Sequence, residues 1–235
     1  MEVAIVLVIL AVLFTIVGVP LSAQMEARRR DDTQKILEAA RDALYGFAAA
    51  NGRLPCPATA VSAGEESPKA MAGAAACTTQ VGFLPAVTLG ILPVDASGFA
   101  VDGWADGSSS HRIGYAVSNT VVATIVPLTT TDGIKTATMI SVASAADYLY
   151  VCGTGLAAGP PTSNCGAAVV LTKSAPALLF SLGKNSNINS IDEANNQNAD
   201  KIFSGGTPTS NFDDVVIWLS MNTLFDRMVK AGRLP

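Results

Sequence analysis

The first twenty-odd residues constrain this chain more than any other stretch. From Met1 to Ala23 the sequence is apolar almost throughout, interrupted only by Glu2, Thr15 and Ser22. A bilayer's hydrocarbon core needs roughly 20 apolar residues in a helix, and a helix lying on a soluble domain would carry a polar stripe that this run lacks. The run therefore predicts a segment that spans a membrane or is buried among other apolar helices. Glu2 is the anomaly within it. A carboxylate at depth in lipid costs about 2.5–3.5 kcal/mol unless it stays at the interface or meets a partner. A secretory signal would open on basic residues, carry a shorter apolar run and end at a small-residue cleavage site. Here the apolar run starts at once and flows into further helix, as a mature end would.

Past the run the periodicity changes. Ile36, Leu37, Ala40, Leu44 and Phe47 recur at helical spacing while Asp32, Lys35, Glu38, Arg41 and Asp42 take other faces, so this half should lie on a sheet. Asn51-Gly52 supplies a stop, with Pro55 beyond it. Gly18 and Pro20 fall inside the apolar run, and proline removes a backbone donor, so a helix break is expected near residues 18–20. The chain thus reads as a long N-terminal helix over 1–52, of which 1–25 is the apolar segment, followed by a globular head over 53–235. Residues 54–106 suggest loops and short turns. Strand-like runs at 112–117, 120–125, 137–142, 148–152, 167–172, 178–182 and 215–219 predict a mostly antiparallel sheet. Residues 185–198 read as an exposed loop, and Ser220 as the cap of a helix over 221–231 closed by Gly232. The fold class expected is α+β.

Two stretches carry a family resemblance. Met1-Glu2-Val3-Ala4-Ile5-Val6-Leu7-Val8-Ile9-Leu10, followed by Gly18, Pro20 and the amphipathic helix, resembles the N-terminal segment of type IV pilins and type II secretion pseudopilins. In that family a prepilin peptidase removes a short basic leader, and a glutamate just inside the mature end serves subunit docking; Glu2 matches it. The family places a few residues before that glutamate, where this sequence has Met1 alone. The second stretch, Phe212-Asp213-Asp214-Val215-Val216-Ile217-Trp218-Leu219-Ser220 with Arg227-Met228-Val229 and Ala231-Gly232-Arg233-Leu234-Pro235, resembles the ending of a group of large bacterial prepilin-like proteins. That group is also similar at residues 47–57 and at Gly82-Phe83-Leu84-Pro85. Asp102-Gly103-Trp104, running towards Tyr115, resembles a turn that packs a tryptophan under the sheet in major pseudopilins. The resemblance implies a pilin-like fold, a long helix packed on a mostly antiparallel sheet.

Charge and cysteine usage set the compartment. Charged residues are only 14% of the chain, against about 25% in typical soluble domains, which suits a sparsely charged extracellular surface. A net charge of −4 argues against nucleic acid, since the basic run Arg28-Arg29-Arg30 adjoins Asp31 and Asp32. By sequence proximity the four cysteines pair as Cys56–Cys77 and Cys152–Cys165, one of three connectivities, the alternative being free thiols. Prolines flanking Cys56 and the Gly/Pro-rich loop before Cys165 favour disulfides and hence an oxidising compartment. The basic run would by itself place its side in the cytoplasm, and disulfides outside would decide the topology against it.

Nothing in the sequence assembles a catalytic centre. Gly153-Thr154-Gly155 follows a strand, but Pro160-Pro161 stand where a phosphate-binding helix would begin. His111 reads as part of a solvated turn, without a nucleophile motif. Asp192, Glu193 and Asp200 offer hard oxygen ligands without metal-loop spacing. No enzyme activity, cofactor or metal site is assigned. The expected function is structural: a subunit that polymerises into an extracellular pilus-like filament, with Met1 and Glu2 at the assembly end. Its expected partners are copies of itself, the inner membrane before assembly, the prepilin peptidase and the assembly machinery. The alternatives are a secretion pseudopilin, a monomeric membrane-anchored binding module and, more distantly, an envelope hydrolase.

Overall fold

The computed structural model describes residues 2–69, 77–118, 127–136, 148–156 and 164–234; within the first helix the side chains of 2, 4, 5 and 7–21 lie outside the described set. The expected strands at 120–125 and 137–142 also fall outside it. The chain is α+β, with a long N-terminal helix and largely antiparallel sheets.

Helix α1 runs from Glu2 to Asn51 as one element. The helix continues without interruption through Gly18 and Pro20, where a break was expected. From residue 33 onward one stripe is covered: Thr33, Leu37, Ala40, Leu44, Tyr45 and Ala48 are buried, while Ile36 and Phe47 are half-buried. This spacing of three and four residues is what puts one face of a helix onto a core. Gly52, at φ +72, then ends the helix with its N–H on the Ala48 carbonyl, a backbone conformation that favours glycine.

What α1 lies on is a four-stranded antiparallel sheet in the order β1 (Val81–Phe83), β2 (Gly114–Val117), β5 (Ala177–Ser181), β7 (Val215–Trp218). A second sheet has the order β4 (Val170–Ala175), β3 (Leu149–Cys152), β6 (Ile202–Ser204), with β3 and β6 parallel. Two sheets thus replace the single one expected. Alternation along β5 explains why. Ala177 and Leu179 join the core beneath α1, with Tyr115, Val117 and Ile217, whereas Leu178 and Phe180 point the other way, onto Leu149, Val151 and Phe203. A strand covered on both faces reads as an unbroken apolar run, as Ala-Leu-Leu-Phe does here. The chain passes from one sheet to the other at Pro176, which has no N–H to donate and lies between β4 and β5.

Short helices complete the head: α2 (Ala86–Leu89), α3 (Gly133–Thr136), α4 (Ile191–Gln197) and α5 (Met221–Lys230). Helix α5 starts where the Ser220 hydroxyl accepts from the Thr223 N–H, and it adds Leu224, Phe225 and Met228 to the core under α1. Helix α4 corrects the loop expected at 185–198. The Ser190 hydroxyl caps it by accepting from the Glu193 N–H, and Glu193, Asn195 and Asn196 are buried. Asn195 donates to the Ile202 carbonyl at 2.9 Å, while Asn196 donates to the Ser204 carbonyl at 3.0 Å and accepts from the Ser204 N–H at 2.7 Å. Asn195 and Asn196 are buried because their amides complete the edge of β6, whereas Asn187, Asn189 and Asn198 stay exposed as expected.

The cysteines form two disulfides, Cys56–Cys77 and Cys152–Cys165, separated by 21 and 13 residues. Closing loops of that length restricts the unfolded chain by about 3 kcal/mol each.

Candidate functional site

The chemistry-bearing features fall into three places. The first is α1 itself. Glu2 is its first residue, Met1 lies outside the described set, and the described apolar residues Val3 and Val6 are exposed. Ser22 to Met25 are exposed as well, and the head reaches the helix as early as Glu26, which is half-buried and paired with Lys184 at 3.0 Å. Among the described residues no helix is long and apolar enough to cross a membrane; the side chains of 7–21 are not among them.

The second place is where the head first grips α1. The Asp102 carboxylate accepts from the Trp104 N–H at 2.9 Å, folding Asp102-Gly103-Trp104 into a turn, and Gly103 donates to the Thr33 hydroxyl at 2.9 Å. Thr33 in turn donates to the Arg29 carbonyl at 2.8 Å. A Cβ at Gly103 would stand 2.3 Å from that carbonyl, so only glycine lets the turn touch the helix backbone. Trp104 shares a cleft with Met25, Glu26 and Arg29 of α1 and is not among the core residues beneath the sheet. Gly103→Ala should push the turn off α1 at a cost of about 1–3 kcal/mol, seen as a lower Tm. An unchanged melting curve would show that the contact carries no weight.

Behind this turn lies a group that imitates a hydrolase. Ser181 donates to Asp102 Oδ2 at 2.6 Å, and His111 Nδ1 stands 3.4 Å from Asp102 Oδ1 without hydrogen-bond geometry. Serine and histidine both address the carboxylate and not each other, and all three are buried, so no base faces the hydroxyl. Burial raises the Asp102 pKa, against the opposing pull of Ser181, the Trp104 N–H and His111. His111 was expected in a solvated turn and is instead 5% exposed. The bridge between Val101 and Arg112, with the Asp102 N–H on the His111 carbonyl at 2.9 Å, folds it inward.

The third place concerns the acidic residues near α4. The three that the sequence offered as ligands are separated. Asp192 accepts from the Gly155 and Leu156 N–H groups at 2.9 and 3.1 Å, so the glycine loop's amides hold a carboxylate of this chain. Asp200 accepts from the Ile202 N–H at 2.7 Å and from the Asn198 amide at 2.9 Å, within its own turn. Glu193 instead meets Asp213 and Asp214, with one ligand oxygen from each lying within 4.8 Å of the others. Burial, then the charges of Glu193 and Asp213, push the Asp214 carboxyl up to about 7, against the Asn196 hydrogen bond that opposes the rise. Asp213 and Asp214 stand just before a strand run and give no local hint that they meet a glutamate 20 residues upstream.

Compared with protein-family models, with curated proteins and with solved structures, the chain matches none of them.

Proposed function

We propose that this chain is the structural subunit of an extracellular type IV pilus-like filament, with a pilin-like fold and no enzymatic role. One observation carries the reading: α1 is a single helix, buried by the head along one stripe from residue 33, touched by it as far up as Glu26, and exposed at Val3, Val6 and residues 22–25. An apolar helix left without a partner needs lipid or other apolar helices around it, and both hide its side chains from water. The subunit waits in the inner membrane and polymerises by exchanging lipid for the helices of its neighbours. The disulfides suit assembly outside the cytoplasm. A secretion pseudopilin is the second reading, suggested by the Asp102-Gly103-Trp104 sequence, although Trp104 packs beside α1 and not under the sheet.

Electron microscopy of material sheared from the cell surface tests the proposal. Filaments that label for this chain are expected, and removal of residues 1–24 should abolish them while leaving a soluble, protease-resistant head. Filaments built by the truncated chain would overturn the role given to α1. Subunit found only as short periplasmic assemblies would favour the pseudopilin.

A further inference from the structure

We propose that Glu193, Asp213 and Asp214 form a binding site for a hard divalent cation of the calcium or magnesium class. Glu193 and Asp214 are 0% and 2% exposed, and one ligand oxygen from each of the three carboxylates lies within 4.8 Å of the others. Like charges at that spacing, removed from water, repel strongly unless something positive stands among them. None of the described ion pairs of the chain reaches any of the three.

The hydrogen bonds leave specific oxygens unused. Glu193 Oε2 accepts from the Asn189 N–H at 2.6 Å, and Oε1 receives only a long bond, 3.4 Å, from the Asp213 N–H. Asp213 Oδ2 accepts from the N–H groups of Lys184 and Asn185 at 2.9 and 3.3 Å. Asp214 Oδ2 accepts from Asn196 at 2.8 Å. The other oxygen of each aspartate, Asp213 Oδ1 and Asp214 Oδ1, is buried with no donor at all. A buried acceptor without a donor is costly, and two on adjacent carboxylates answer to a cation better than to any side chain among the described residues. Carboxylate oxygens are the ligands that calcium and magnesium prefer, with water filling the remaining positions.

The second-layer bonds hold this arrangement from three parts of the chain. Glu193 is fixed in the first turn of α4 by the Ser190 cap, Asp213 by the backbone after β5, and Asp214 by Asn196. A bound cation would tie α4 and the segment after β5 to the entry of β7. The excursion between those two strands would then be locked to the sheet.

The test uses the full chain, freed of metal by chelator and titrated with CaCl2 and, separately, MgCl2. One cation per chain is expected, with Tm rising by about 5–10 °C at a hundredfold excess over Kd. The salt that acts at the lower concentration identifies the ion. Asp213→Asn and Asp214→Asn should abolish the rise, whereas Asp226→Asn, in the exposed pair with Lys230, should keep it. No response to either salt would mean that the carboxylates share a proton, and it would overturn the proposal. So would a response that survives Asp214→Asn. If the aspartate variants do not fold, the wild-type titration decides: a stoichiometry near one supports the site, and no binding or many weak sites refutes it.

Discussion

Glu66→Ala is expected to cost about 3–5 kcal/mol of folding stability. Arg53 meets the Glu66 carboxylate with both terminal nitrogens, at 2.8 and 2.7 Å, and the two residues are 8% and 7% exposed. Glu66 also accepts from the Cys56 N–H at 3.2 Å, and Arg53 donates to the Leu54 carbonyl at 3.1 Å. The pair therefore organises the turn between the end of α1 and the first disulfide. Alanine would leave a guanidinium in the interior with one carbonyl and the Phe47 ring, 5.1 Å away, as its remaining company. The coupled double variant Arg53→Met with Glu66→Leu should recover most of the loss, because it removes both charges while keeping apolar volume. Urea unfolding of the wild type and the two variants measures this. A loss below about 1 kcal/mol for Glu66→Ala would place the pair in the range of solvated surface bridges.

Glu2→Ala should abolish filaments while leaving the head as stable as before. Glu2 opens α1, and head coverage of that helix is confined to residues far downstream. In the membrane the substitution removes a charge that costs on the order of 2.5 kcal/mol or more at depth, so the inserted monomer is favoured. In the proposed filament it deletes one half of a buried ion pair with the neighbouring subunit, a loss of about 3–5 kcal/mol per contact. The two states respond with opposite signs, and membrane-inserted subunit should accumulate as filaments disappear. Quantifying surface filaments beside membrane-fraction subunit checks this. Normal filament yield would make Glu2 an interfacial residue with no part in registry.

The covered stripe of α1 was legible because a helix writes its buried face into local spacing, and Leu37, Ala40 and Leu44 follow it. Helix α5 was legible for the same reason, with Ser220 at one end and Gly232 at the other. Helix α4 carried a signal too, since Ser190 and Glu193 have capping-box spacing, but the surrounding asparagines suggested a loop. What local pattern could not carry were contacts between distant parts of the chain. Arg53 enters the sequence reading only within the similar stretch 47–57, and Glu66 only as one of two adjacent glutamates. The burial of His111 depends on Asp102, and the acidic cluster depends on a loop that brings Asp213 back to Glu193. Pro176 was visible as a strand boundary, but not that the chain changes sheets there.

The packing of α5 against α1 bears on when the head can fold. The core beneath α1 draws Leu37, Ala40 and Leu44 from the beginning of the chain and Leu224, Phe225 and Met228 from near its end. Arg233 then clasps the carbonyls of Ala49 and Ala50, and the Ser220 N–H donates to the Tyr45 hydroxyl at 2.8 Å. A chain threaded through a translocation channel from its N-terminal side cannot close this core until α5 has emerged. The tether proposed for α1 would therefore be in place before the head is finished, and a nascent chain stalled ahead of residue 221 would present the bare stripe of α1 to chaperones and proteases.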